Sequence, residues 1–270
     1  MFTVTARTVL ELGSELISSD VIAFYELIKN GFDAKSSSGV RIKFDILLTQ
    51  RSAQAVLRSS TQDSDEFRTL IERHIERDTD PSIKTAFEAE LDEATSTTEL
   101  REIVSGAPEK YNRIVVEDTG DGMSAKSLKD AFLVIGTSSR RDAVSKALEA
   151  GKMATPYLGE KGIGRLSAMR LGDTLEVVSA SKTDTHLNIL EIDWSDFSEP
   201  GLMLDDIDVK PRKGRKKPTP DYHGTKLFIG RLEQSWSREK VAELGKYDFS
   251  RLLLSFIALI NKPHSLVRLF

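Results

Sequence analysis

Residues 24–34 read FYELIKNGFDA, and this stretch constrains the fold more than any other. Wound as a helix, it places Val21, Phe24, Tyr25, Ile28 and Phe32 on one broad stripe, with Glu26, Asn30 and Asp33 at i, i+4 and i+7 on the opposite side. The polar row is flanked by Ile22, Ala23, Leu27 and Ala34, so Lys29 is the one further residue expected in bulk water. An ordinary amphipathic helix has a broad wet face. A helix apolar almost all round that keeps two carboxylates and an amide in line needs another explanation.

At 270 residues the chain is long enough to bury about three quarters of its unfolded surface. With 39% apolar and 30% charged residues and no apolar run of bilayer length, it reads as globular rather than membrane-spanning. The lack of cysteine excludes a disulfide framework and any thiolate metal site. Cytoplasm is therefore the expected location. A net charge of -4 gives no global attraction to nucleic acid or membrane, so such a contact would need a local patch.

Residues 3–17 read as a short strand running into a helix, and Ser19-Asp20 supplies an N-cap for the helix that follows. Alternation over residues 40–47 predicts a half-buried strand. From residue 49 to 110 the chain turns polar, with Phe67, Leu70, Ile71, Ile75, then Ile83, Phe87, Leu91 and Ala94 at helical spacing. This predicts an insertion of two or three helices with weak cores, broken at Asp80-Pro81. RIVVE at 113–117 suits a strand buried on both faces. Further strands are expected at 174–180, 187–193 and 225–230, and helices at 124–134, 143–150, 164–171 and 237–259. Without strict alternation, these elements predict an α/β two-layer sandwich, its mixed sheet carrying helices on one face.

Three further segments carry chemistry. In EDTGDGMS, residues 117–124, Gly120 and Gly122 let the backbone approach a ligand closely. Gly120-x-Gly122-x-x-Ala125 also imitates a dinucleotide fingerprint, although no acidic residue is evident after the next strand and Asp118 stands where that motif turns. In YLGEKGIGRLS, residues 157–167, Gly159, Gly162 and Gly164 precede a helix, and their N–H groups with Lys161 make an anion site or a plain surface loop. HGT, residues 223–225, opens a strand and means little alone.

Taken in order, Glu26-x-x-x-Asn30-x-x-Asp33-Ala34, Asp118-x-Gly120-x-Gly122-Met123, Gly159-x-x-Gly162-x-Gly164 and Gly224-Thr225 resemble the motif series of the GHKL ATPases. That superfamily takes in gyrase, ninety-kilodalton heat-shock chaperones, histidine kinases, MutL and MORC proteins. The resemblance covers roughly residues 8–45 and 111–230 and implies the Bergerat fold, a mostly antiparallel sheet with helices on one face. It implies ATP as substrate and Mg²⁺ as cofactor. Glu26 would be the general base, Asn30 the Mg²⁺ ligand, and Asp33 a support for the pocket. Asp118 would take the adenine amino group with Thr225 beside it, while Gly122 and Met123 let the base lie against the backbone. Gly159, Lys161, Gly162, Ile163 and Gly164 would wrap the phosphates, residues 136–158 would form a lid, and Thr137, Ser138, Ser139 and Arg140 would face ribose or phosphate.

All four histidines, His74, His186, His223 and His264, follow the helix of Glu26, which argues against a phospho-accepting kinase. The spelling is nearest the chaperone-like and MORC-like bacterial branch. Such relatives imply homodimerisation on ATP binding and a downstream transducer domain, so the expected organisation is an ATPase domain over 1–48 and 111–232, an insertion over 49–110, and helices over 233–270 leading to a further domain. The insertion is a candidate protein-binding element. KPRKGRKK, residues 210–217, reads as a solvated hairpin tip or as a phosphate-contacting DNA patch. Two alternatives of other classes stay open: a module that senses ATP without hydrolysing it, and a nicotinamide-dependent oxidoreductase.

Overall fold

A computed structural model describes residues 4–132, 164–249 and 267–269. Its centre is a seven-stranded sheet: β1 (Val40–Asp45), β2 (Arg113–Asp118), β3 (Gly172–Ala180), β4 (His186–Asp193), β5 (Arg212–Lys216), β6 (Gly224–Leu232) and β7 (Val267–Leu269), ordered β5-β4-β3-β6-β2-β1-β7. Neighbours are antiparallel except β1 and β7, which are parallel. Ile114, Val115 and Val116 are all buried, as their unbroken apolar run predicts. Against one face pack α1 (Ala6–Leu16), α2 (Asp20–Asp33) and a tight 3-10 helix, Gly164–Arg170. Phe24, Leu27 and Ile28 of α2 meet Ile42, Ile114, Val116, Val177 and Ile229 of the sheet in one core. The expected mixed sheet with helices on one face is what the chain builds.

Several local expectations change. Among the described residues, an isolated bridge, Thr5 to Met203, stands where a strand was expected before α1. The helix expected over 124–134 is a single turn, α7 (Ala125–Ser127), capped by the Ser124 hydroxyl and continuing as a π-turn to Phe132. The segment before β2 holds four helices rather than two or three: α3 (Gln50–Leu57), α4 (Ser64–His74), α5 (Pro81–Glu93) and α6 (Thr97–Tyr111). Nor is their core weak, because Phe67, Ile71, Phe87, Leu100 and Val104 are almost wholly buried in a cluster of their own. Short amphipathic helices each show few apolar residues, and only their convergence makes a core. KPRKGRKK is no hairpin tip: Arg212–Lys216 is β5, the edge strand beside β4.

Candidate functional site

The site lies where α2 meets one end of the sheet. Ser19 accepts from the Ile22 N–H at 3.3 Å and starts α2; Ala34 ends it. Glu26, Asn30 and Asp33 are all half-buried along this helix. What brings the helix close is Gly31. A methyl group there would sit 2.5 Å from Val40 Cγ2 and 3.3 Å from Asp118 Cβ, so a side chain would push α2 off β1 and β2. The loop after β2 is tied to the same helix end, the Asp121 N–H donating to Ala34 O at 2.7 Å. Sequence reading did not single out Gly31, whose role is visible only from the strand it faces.

Asp118 closes β2 opposite Thr225 of β6. Its Oδ1 accepts from the Gly120 N–H at 2.8 Å. Burial raises its pKa from 3.8 to about 6, against the pull of hydrogen bonds from the Gly120 and Thr225 backbone and of the His223 charge. Gly122 has φ +66°, and a Cβ there would lie 1.9 Å from Ala180 O, so the loop can fold back onto β3 only with glycine.

Ser179 organises this end of the sheet. Wholly buried on β3, it accepts from the Met123 N–H at 2.8 Å, donates to Gly224 O at 2.9 Å and meets Thr225 Oγ1 at 2.9 Å. A serine has one proton, so with that proton on Gly224 O the Thr225 hydroxyl is the donor to Ser179. Asn188 of β4 adds a bond from Nδ2 to Met123 O at 3.1 Å. His223, uninformative in sequence, meets Gly120 O through Nδ1 at 2.5 Å. Ser179 and Asn188 escape sequence reading because one small polar residue in an alternating strand carries no signal; cross-strand register gives them meaning.

The structure therefore brings the helix of Glu26, Asn30 and Asp33 together with Asp118, Gly120, Gly122, Met123 and Thr225. Gly164 opens the 3-10 helix packed beside α2. Gly159, Lys161, Gly162, Ile163, Thr137, Ser138, Ser139, Arg140, the lid over 136–158 and the helix expected at 143–150 lie outside the described residues. Lys29 requires a correction: it is buried, not in bulk water, and its ammonium donates to Glu26 Oε1 at 3.2 Å. The ion pair with Glu26 offsets the desolvation of its ammonium.

A family model for the Histidine kinase-, DNA gyrase B-, and HSP90-like ATPase matches residues 17–225. The match spans most of the chain, and the protein belongs to that family. ATP binding is the activity the family implies. No curated protein matches the chain significantly. No helix among the described residues is long and apolar enough to cross a membrane.

Proposed function

We propose that this protein is a Mg²⁺-dependent ATPase that hydrolyses ATP to ADP and phosphate. The observation that carries the reading is the row Glu26, Asn30, Asp33 on α2, a helix whose Gly31 packs against Asp118. Asp118 accepts the adenine amino group, and a guanine carbonyl facing it would be rejected. Met123 and Gly122 let the base lie along the backbone. The half-buried Asn30 amide oxygen on α2 would be the protein's contribution to Mg²⁺, an ion that takes few protein ligands and completes its shell with phosphate and water. Bound there, Mg²⁺ neutralises phosphate charge. Glu26 accepts the proton of the water that attacks the γ-phosphorus; the bond to the bridging oxygen breaks, and ADP leaves with that electron pair.

Further parts of the proposal draw on the family likeness: closure of residues 136–158 over the nucleotide, ATP-gated homodimerisation, and action in the cytoplasm. The test is titration of ATP with Mg²⁺ into the wild type and Asp118→Asn, with phosphate release followed in the wild type and Glu26→Ala. Binding weakened roughly 10- to 100-fold in Asp118→Asn and release lost in Glu26→Ala is the expected pair of results. Unchanged release by Glu26→Ala would remove the catalytic assignment.

A second reading, an ATP-sensing module that recruits a protein or DNA partner, is favoured by one observation. The four-helix insertion has a core of its own and leaves the sheet at the end opposite Asp118. The basic edge strand β5 supplies the candidate DNA contact for that reading.

A further inference from the structure

Lys29 sits three residues after Glu26 and directly before Asn30 on α2. Its side chain and that of Glu26 are only 11% and 21% exposed. Among the described residues, other charge pairs along single helices are surface features: Arg7 and Glu11 are 64% and 61% exposed, and Lys84 and Glu88 are 51% and 49%. Pairs of that kind contribute little. A lysine withdrawn from water is different, since an ammonium is costly to bury and is tolerated only where a partner holds it. Here that partner is the carboxylate in the polar row. The ammonium also lies 5.4 Å from the Tyr25 ring centre, which restricts it further.

We propose that Lys29 is a positioning residue for Glu26: its ammonium holds Oε1 and fixes the orientation of the carboxylate, leaving Oε2 to take the proton of the attacking water. This rests on the reading of Glu26 as proton acceptor. A carboxylate pointed at a polyphosphate tends to swing away from like charge. Lys29 has the reach, the charge and the restricted setting to prevent that. Because it acts through Glu26, its removal affects turnover and spares nucleotide affinity.

The experiment measures phosphate release at saturating Mg²⁺ and ATP, together with ATP affinity by titration. It compares the wild type, Lys29→Met, Lys29→Arg, Glu26→Gln and the double variant Glu26→Gln/Lys29→Met, with thermal unfolding to confirm that each is folded. Lys29→Met is expected to lower kcat by about tenfold or more, within the range of a positioned general base, and to change ATP affinity by no more than about twofold. Lys29→Arg should recover most of the rate, and Lys29→Met should cost nothing further on the Glu26→Gln background. A Lys29→Met rate within about twofold of the wild type, or an equal further loss on the Glu26→Gln background, overturns the proposal. Should Lys29→Met not fold, Lys29→Gln keeps most of the stem, lacks the charge and carries the same test. Wild-type turnover in Glu26→Gln would instead overturn the proton-acceptor reading itself.

Discussion

Asp118 has two roles that pull against each other. In its proposed role as adenine acceptor the carboxylate has to be withdrawn from water, and that withdrawal raises its pKa to about 6. The fold therefore keeps the proton between pH 3.8 and about 6, where the unfolded chain has lost it. By linkage, this group's contribution to stability is complete below 3.8 and is lost as the pH rises through about 6. ATP affinity runs the other way, because only the charged acceptor makes the stronger hydrogen bond. Titrations between pH 5 and 8 should show affinity falling toward acid in the wild type and a flatter profile in Asp118→Asn, which binds roughly 10- to 100-fold more weakly at neutral pH. Ser179→Ala takes a buried partner from the Met123 N–H and the Thr225 hydroxyl. It should lower stability by about 1–3 kcal/mol in denaturant unfolding and weaken ATP binding with it.

At the scale of the element, α2 is the organising piece, and its tolerance is set on two sides. Ser19→Ala removes the N-cap and should cost about 1 kcal/mol without altering the site. Gly31→Ala is the informative change. Alanine favours the helix by about 1 kcal/mol, but its methyl collides with Val40, and overpacking costs about 1–3 kcal/mol. The net expectation is a loss of stability accompanied by weaker ATP binding, since α2 can relieve the contact only by moving away from Asp118. A Gly31→Ala protein with higher stability and unchanged affinity would show that the helix has room to spare. Helix period alone located the stripe of Glu26, Asn30 and Asp33, because spacing survives any packing. It misplaced Lys29, which is buried and paired with Glu26.

For the whole molecule, strand register decides how the parts relate. β1 and β2 pair Val40 with Asp118 at one end and Asp45 with Arg113 at the other, and the four-helix insertion joins the latter ends. Six paired residues put about 17 Å between Asp118 and the root of the insertion. The junction is ionic: buried Asp45 faces Lys43 at 2.7 Å and Arg113 at 3.0 Å, and Lys43 also reaches Asp80, the N-cap of α5, at 2.8 Å. Both cations keep some solvent, so Asp45→Ala should cost about 2 kcal/mol, below the roughly 3–5 of a fully buried pair. Phe87→Ala, in the separate core, should cost about 3–5 kcal/mol. Under conditions where either variant is folded, ATP affinity should match the wild type. A large affinity loss in either would show that the insertion acts on the pocket from its distant root.

The sequence by itself determined the class of fold and where the polar row, the Asp118 turn and five strands (β1, β2, β3, β4 and β6) would lie, because these follow from period, capping and turn chemistry within a few residues of chain. It could not determine that Ser179 would bridge three segments, that Gly31 would admit β1, that Lys29 would pair with Glu26 away from water, or that a basic run would become an edge strand. Each of those depends on a neighbour dozens of residues distant, or on elements packed around it, and only the tertiary structure supplies that neighbour.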